Sequence, residues 1–263
     1  MLVDSHCHLD FPELLSDIDA VTARMADAGV GHALCVAVNM EDFPRVRELA
    51  ERFDHLSASV GVHPDHEGGE EPDVARLVAL AAHPKVVAIG ETGLDYYRHP
   101  ERAEVQRARF RAHIRAARET GKPLIVHTRS ASEDTLGVMR EEDAQAAGGV
   151  MHCFTETWEV AEAAMEMGFY ISFSGIVTFR NATELRDVAR RVPAERLLVE
   201  TDSPYLAPVP LRGRTNEPAF VRHVAEEVAR VRGIGLDALT GLTTANFFRL
   251  FKDARPAGRE AKR

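Results

Sequence analysis

The chain has 263 residues, 45% of them hydrophobic and 28% charged, with a formal net charge of −9. That length suits one α/β barrel rather than two small domains, and the acidic balance excludes a general electrostatic grip along many phosphates, although one or two can be met by bound metal ions and a few local arginines. No run approaches the roughly 18–20 apolar residues of a membrane span, and the start Met1-Leu2-Val3-Asp4 lacks the basic and apolar regions of a signal peptide, so no membrane contact and a cytoplasmic setting are expected.

Eight short apolar runs read as strands, at residues 2–6, 32–38, 56–62, 86–90, 123–127, 149–152, 169–174 and 196–201. Between them lie helical patterns, for example at 14–28, 73–82, 101–120 and 157–167. Gly29, Gly121 and Gly168 follow three of these helices where a left-handed cap belongs. Strands alternating with helices imply parallel strands joined by helical crossovers, and eight such units close into a (β/α)8 TIM barrel. A doubly wound open sheet is the alternative, but no Gly-x-Gly-x-x-Gly follows the first strand. One domain over residues 1–251 is expected. Residues 252–263 are basic, carry Pro and Gly, lack apolar periodicity, and read as a flexible tail.

In a barrel of this kind the reactive groups stand at the carboxyl ends of the strands. His6 and His8 end the first strand, His63 the third, Glu91 the fourth, His127 the fifth, His152 the sixth and Asp202 the eighth. His6 and His8, two apart in a strand, share one side while Cys7 points the other way. Alone, such a pair is as well explained by hydrogen-bonded histidines near a terminus. Glu91, directly after a buried run, would be costly unless paired or metal-bound. His127 and His152 taken singly would be satisfied core histidines, and Asp202 a turn cap; together with the others they make a ligand set. Glu200 would share the side of Asp202 and either hydrogen-bond a ligand or join a salt bridge.

Four histidines and two carboxylates on one rim suffice for two divalent ions if one carboxylate bridges, and the mixed donors leave Mg, Mn, Zn and Co open. Two close ions activate water and clamp the oxygens around a phosphorus or carbonyl centre, so hydrolysis is the expected output. His63 is read as a substrate contact or a residue orienting a ligand. Arg98, Arg129, Arg180, Arg212 and Arg214 fall in loops after strands and offer bidentate partners for phosphate oxygens, with solvated surface arginines as the ordinary alternative. Phe154, Tyr96, Tyr97, Phe179 and Tyr205 are rim aromatics able to stack on a base or pack in the core. Cys7 and Cys153 are assigned to packing. Three scattered cysteines form no disulfide framework, and His32, His55, His66, His83, His99, His113 and His223 are expected to be solvated or structural.

The segments Asp4-Ser5-His6-Cys7-His8-Leu9-Asp10, Gly61-Val62-His63-Pro64, Gly90-Glu91-Thr92-Gly93-Leu94-Asp95-Tyr96, Val126-His127-Thr128-Arg129, His152-Cys153-Phe154-Thr155 and Glu200-Thr201-Asp202-Ser203-Pro204-Tyr205-Leu206 together resemble the TatD family of metal-dependent deoxyribonucleases. The likeness runs from the first strand to about Phe251 and is strongest to the bacterial YcfH-type branch, through residues 168–181 and 206–216. It implies the metal-dependent hydrolase type of barrel with two divalent ions, one held by His6, His8, Glu91 and Asp202 and the other by Glu91, His127 and His152. It further implies hydrolysis of DNA phosphodiester bonds, often exonucleolytic, by metal-activated water, with Asp202 taking the water proton. His63 and the arginines would stabilise charge on the phosphate. Two competing readings stand beside it: a metal-dependent hydrolase of a small ester, amide or aminoacyl-RNA ester, and a non-enzymatic metal-binding protein.

Overall fold

The computed structural model describes residues 1–256. Eight strands are present among the described residues: β1 (Leu2–Cys7), β2 (Val30–Cys35), β3 (Leu56–Val60), β4 (Val86–Asp95), β5 (Leu124–Arg129), β6 (Gly149–Met151), β7 (Tyr170–Phe173) and β8 (Leu197–Val199). They pair in sequence order, each neighbour parallel. The ends meet at the carboxyl rim, where Asp202 N donates to His6 O (3.0 Å) and His8 N to Ser203 O (2.8 Å). The expected (β/α)8 barrel is the observed fold.

Ten helices are found among the described residues: α1 (Pro12–Leu15), α2 (Ile18–Asp27), α3 (Phe43–Arg52), α4 (Val74–Ala81), α5 (Ala103–Thr120), α6 (Ser132–Glu141), α7 (Trp158–Glu166), α8 (Thr183–Arg191), α9 (Val221–Arg232) and α10 (Leu236–Leu250). Their apolar stripes, such as Leu77, Phe110 and Ile114, pack with outward strand residues such as Ala58, Val60 and Val126. Gly29, Gly121 and Gly168 carry φ of 77°, 67° and 86°, the left-handed conformation that stops a helix without a Cβ penalty. Asp73 caps α4 by accepting from Arg76 N at 2.8 Å. No helix among the described residues is long and apolar enough to cross a membrane.

Inward residues Val3, Leu34, Val36, Val87, Ala88, Ile125, Val150 and Leu198 form a second apolar cluster with Phe247, Phe251 and Ala254. Thr244 of α10 donates to Met1 O at 2.8 Å, and Asn246 donates to Ala194 O and Leu197 O, just before and at the start of β8, so α10 and the residues after it close the amino-terminal end of the barrel. Residues 252–256, the first part of the segment read as a tail, follow α10 directly. Ala254 is buried in that cluster, and Asp253 pairs with Lys122 Nζ at 2.7 Å. Residues 257–263 of the expected tail lie outside the described residues.

β2 lies at Val30–Cys35 rather than 32–38 and β3 and β8 each end two residues early, but β4 departs furthest from the sequence reading. β4 was expected to end at Gly90, yet it runs five residues further, to Asp95, beside β5. Gly93, at φ 133°, permits this: a Cβ there would fall 2.0 Å from His127 O. Glu91, Gly93 and Asp95 therefore share one side of a strand, and two carboxylates project toward the mouth instead of one.

Candidate metal centre

Glu91 lies at the centre of the rim cluster, almost fully buried, and its two oxygens face different partners. Oε2 is 3.2 Å from His6 Nε2 and 3.8 Å from His8 Nε2. Oε1 is 2.7 Å from His152 Nε2, 3.2 Å from His127 Nδ1 and 3.3 Å from His63 Nε2. Asp202 Oδ1 stands 3.4 Å from His8 Nε2 and 3.7 Å from His6 Nε2. Three overlapping donor groups result, each with ligand atoms within 4.8 Å of one another: His6, His8 and Glu91; His6, His152 and Asp202; His63, Glu91 and His127. All six residues expected as ligands are thus brought together. His63, read as a substrate contact or orienting residue, joins them.

The second nitrogen of each imbedded imidazole decides which nitrogen is free to bind. His8 Nδ1 is 3.0 Å from Val36 O, a carbonyl that only accepts, so Nδ1 carries the proton and Nε2 presents its lone pair to the cluster. His152 Nδ1 is 3.3 Å from Glu200 Oε1, His127 Nε2 is 3.4 Å from Asp95 Oδ2, and His63 Nδ1 pairs with Asp65. Four outward nitrogens face acceptors, the arrangement that orients histidine toward a cation. His6 Nε2 and His8 Nε2 also lie 3.2 Å apart, where two lone pairs would repel unless a proton or a cation intervened. The donor set fits divalent ions, with imidazole and carboxylate ligands in the proportion such ions accept.

The charges of the ion-free cluster follow the same geometry. Burial pushes the Glu91 carboxyl up, but His152, His63 and His6 outweigh it and hold Glu91 well below the usual carboxylate range. Burial likewise opposes ionisation of Asp202, and His8, His6 and His152 overcome it. For His63, burial acts downward while Glu91 and Asp65 raise it to about 9. His6 is lowered by burial and by neighbouring His152. Glu91 and Asp202 are therefore held ionised, the state in which a carboxylate binds a cation or takes a proton.

The cluster floors a cavity of about 510 Å³. Arg98 and Arg129 line it, as do Asp65, Asp95, Phe11, Ile176, Tyr205 and Leu206. Arg129 sits over the Tyr97 ring at 4.0 Å, and Arg98 reaches Asp65 at 3.4 Å. Arg180, Arg212 and Arg214 are exposed and do not reach the cavity wall, since Ile176, Tyr205 and Leu206 occupy the inward positions of their loops; Arg212 lies over Phe179 at 3.8 Å instead. Cys153, assigned to packing, borders the cavity because its φ of 42° turns it out of the strand pattern, and its Sγ meets Ser174 Oγ at 3.2 Å. Phe154 is buried against Phe173 and is a packing residue. Sequence reasoning missed Phe11, which stacks on His8 at 4.9 Å, and the orienting carboxylates Asp65 and Asp95. The last two had a signal, for they stand two residues after His63 and four after Glu91.

A closed barrel of parallel strands with imidazole and carboxylate donors gathered at its carboxyl end defines the class of barrel-type metal-dependent hydrolases. Comparison with known proteins narrows the class. A family model described as TatD related DNase matches residues 3–252, and the chain belongs to the TatD family. It is 53% identical over 253 residues, 95% of each chain, to the uncharacterized metal-dependent hydrolase YcfH of Escherichia coli (strain K12). It is 36% identical over 256 residues, 95% of this chain and 98% of the other, to the 3'-5' ssDNA/RNA exonuclease TatD of Shigella flexneri serotype 5b (strain 8401). Among solved structures, the TatD homologue YJJV from Escherichia coli K12 gives a TM-score of 0.90 at 31% identity, covering 95% of this chain and 98% of that one. The chain is a metal-dependent hydrolase.

Proposed function

We propose that this hydrolase is a two-metal deoxyribonuclease that removes nucleotides from an end of single-stranded DNA. The observation that carries the reading is the division of Glu91: one oxygen toward His6 and His8, the other toward His63, His127 and His152, as a carboxylate shared between two ions would be. His6, His8, Glu91 and Asp202 would hold one ion and Glu91, His127 and His152 the other. Divalent ions held there would supply Lewis acidity and a water acidic enough to ionise near neutral pH.

The chain's own residues carry the remaining work. Asp202, ionised and at the mouth, takes the proton of the attacking water. As the water oxygen bonds to phosphorus, the bond to the leaving sugar oxygen breaks, and that oxygen takes up a proton. His63, Arg98 and Arg129 offset the charge that gathers on the phosphate oxygens. Phe11 and Tyr205, the latter 54% exposed at the cavity, offer an apolar wall to the terminal base. The relatives' names support a nucleic-acid substrate, and the cavity volume suits one or two nucleotides rather than a duplex.

The test is hydrolysis of end-labelled single-stranded DNA by metal-stripped protein, with Mg, Mn, Zn or Co added back and Glu91→Ala run beside it. Metal-restored cleavage that the variant lacks is expected. A second reading is hydrolysis of a small ester, amide or aminoacyl-RNA ester at the same centre; Asp65 and Asp95 on the wall, which repel a long polyanion, favour its small-molecule forms. Turnover of such substrates without DNA cleavage under any metal would replace the first reading by the second.

A further inference from the structure

We propose that Arg109, on the buried face of α5, is the positioning residue for the loop that carries His63 and Asp65. β3 ends at Val60 and α4 starts at Val74, so the backbone between them has no strand ladder to fix it. Arg109 is 4% exposed, and its guanidinium fork fills that role. Nη1 donates to His63 O at 2.6 Å and to Pro64 O at 3.3 Å, Nη2 to His66 O at 3.2 Å and to Glu71, and Nε to Glu71 Oε2 at 2.8 Å. His113, one turn along the same face, accepts from Val62 N at 3.0 Å through Nε2. Its Nδ1 must then carry the proton, and it donates to Arg109 O at 2.8 Å.

Two side chains of one helix thus satisfy four backbone groups across residues 62–66, the stretch from which the His63 imidazole and the Asp65 carboxylate reach the centre. Pro64 O depends on the fork, while His63 O also accepts from His66 N at 3.1 Å and His66 O from Arg102 Nη1 at 3.1 Å; the fork joins all three carbonyls to one rigid guanidinium, so the loop backbone follows it. Lysine cannot imitate this, because a single ammonium does not span three carbonyls and a carboxylate. Arg109 touches neither substrate nor ligand atoms and acts through His63. The inference rests on the site described above and not on DNA being the substrate.

The experiment is a double-mutant cycle of Arg109→Lys with His63→Ala on hydrolysis of bis(p-nitrophenyl) phosphate, joined to hydrogen exchange of the ion-free proteins. Arg109→Lys is expected to lower kcat by about 10- to 100-fold, the range for residues that orient a ligand. The double variant should fall no more than a few-fold below His63→Ala alone, and exchange should quicken across residues 61–71 while α5 stays protected. Losses that multiply, or unchanged exchange in that segment, would overturn the proposal. If Arg109→Lys does not fold, Glu71→Gln at the half-exposed end of the fork carries the same cycle. A wild type inert toward this phosphodiester counts against the nuclease reading alone, and the exchange result then decides the clamp.

Discussion

The two ends of the barrel are built from the same eight strands and differ in almost every physical respect. At the amino-terminal end, inward apolar side chains meet Phe247, Phe251 and Ala254 and exclude water. At the carboxyl end, five imidazoles and several carboxylates crowd a cavity, and Ser130, Cys153, Asp202 and Leu206, all in rim loops, hold positive φ without being glycine, against Asp143 alone, between α6 and β6, elsewhere among the described residues. Such backbone is unfavourable for these residues, and it is carried where function is placed. The lesson is a division of labour along each strand: one end stabilises the fold and leaves the other free to hold charges that the fold alone would not select.

Substitutions at the two ends should therefore separate activity from stability. Glu91→Ala has the largest expected effect, a loss of hydrolysis beyond the roughly 10- to 100-fold typical of residues that only orient a ligand, and out of proportion to the change in thermal stability in chelator, where the facing histidines lose the carboxylate they hold ionised. Substantial residual turnover would remove Glu91 from the centre. Phe247→Ala, at the plug, is expected to cost about 3–5 kcal/mol in denaturant unfolding while activity per folded molecule persists. Equal loss of activity and stability would break the division.

Acid tests the neutral histidines of the scaffold. Burial lowers His113 from its ordinary 6.5 to about 4, so the unfolded chain takes up its proton first. The stability it contributes is fully present above pH 6.5 and is lost as pH falls toward 4, on the order of 3 kcal/mol. Unfolding of the ion-free protein between those pH values should show this slope, and His113→Gln should reduce it to the part left by His32, which burial lowers to about 3; an unaltered slope would assign the acid sensitivity elsewhere. Glu200→Gln has the smallest expected effect, a roughly 10- to 100-fold weakening of metal affinity or activity, because His152 Nδ1 loses its charged acceptor. Metal titration against a competing chelator is the measurement, and wild-type affinity with wild-type turnover would make Glu200 a packing carboxylate.

Much of the site was legible because barrel chemistry collects at strand ends, and strand ends are visible in the sequence as the last residue of an apolar run. His6, His8, His127, His152 and Asp202 were readable in this way. Asp95 was hidden by the opposite effect: Gly90 and Gly93 mimic a strand stop, whereas here they allow β4 to lie close against β5. Arg109 gave no signal at all. An arginine in a helix pattern reads as solvated, and only the packing of α5 beneath the His63 loop makes it buried.

By itself, the sequence determined the alternation of strands and helices, the left-handed glycine caps, the family and the five expected ligands that gather around Glu91. These depend on local periodicity, on backbone sterics and on motifs, all of which are written in neighbouring residues. The tertiary structure decided the rest: which oxygen of Glu91 faces which histidine, that Arg98 and Arg129 reach the cavity while Arg180, Arg212 and Arg214 do not, and that α10 closes the barrel's far end. Those facts turn on distances between segments far apart in the chain, and such distances are set only when the closed sheet holds all eight strand ends in one ring.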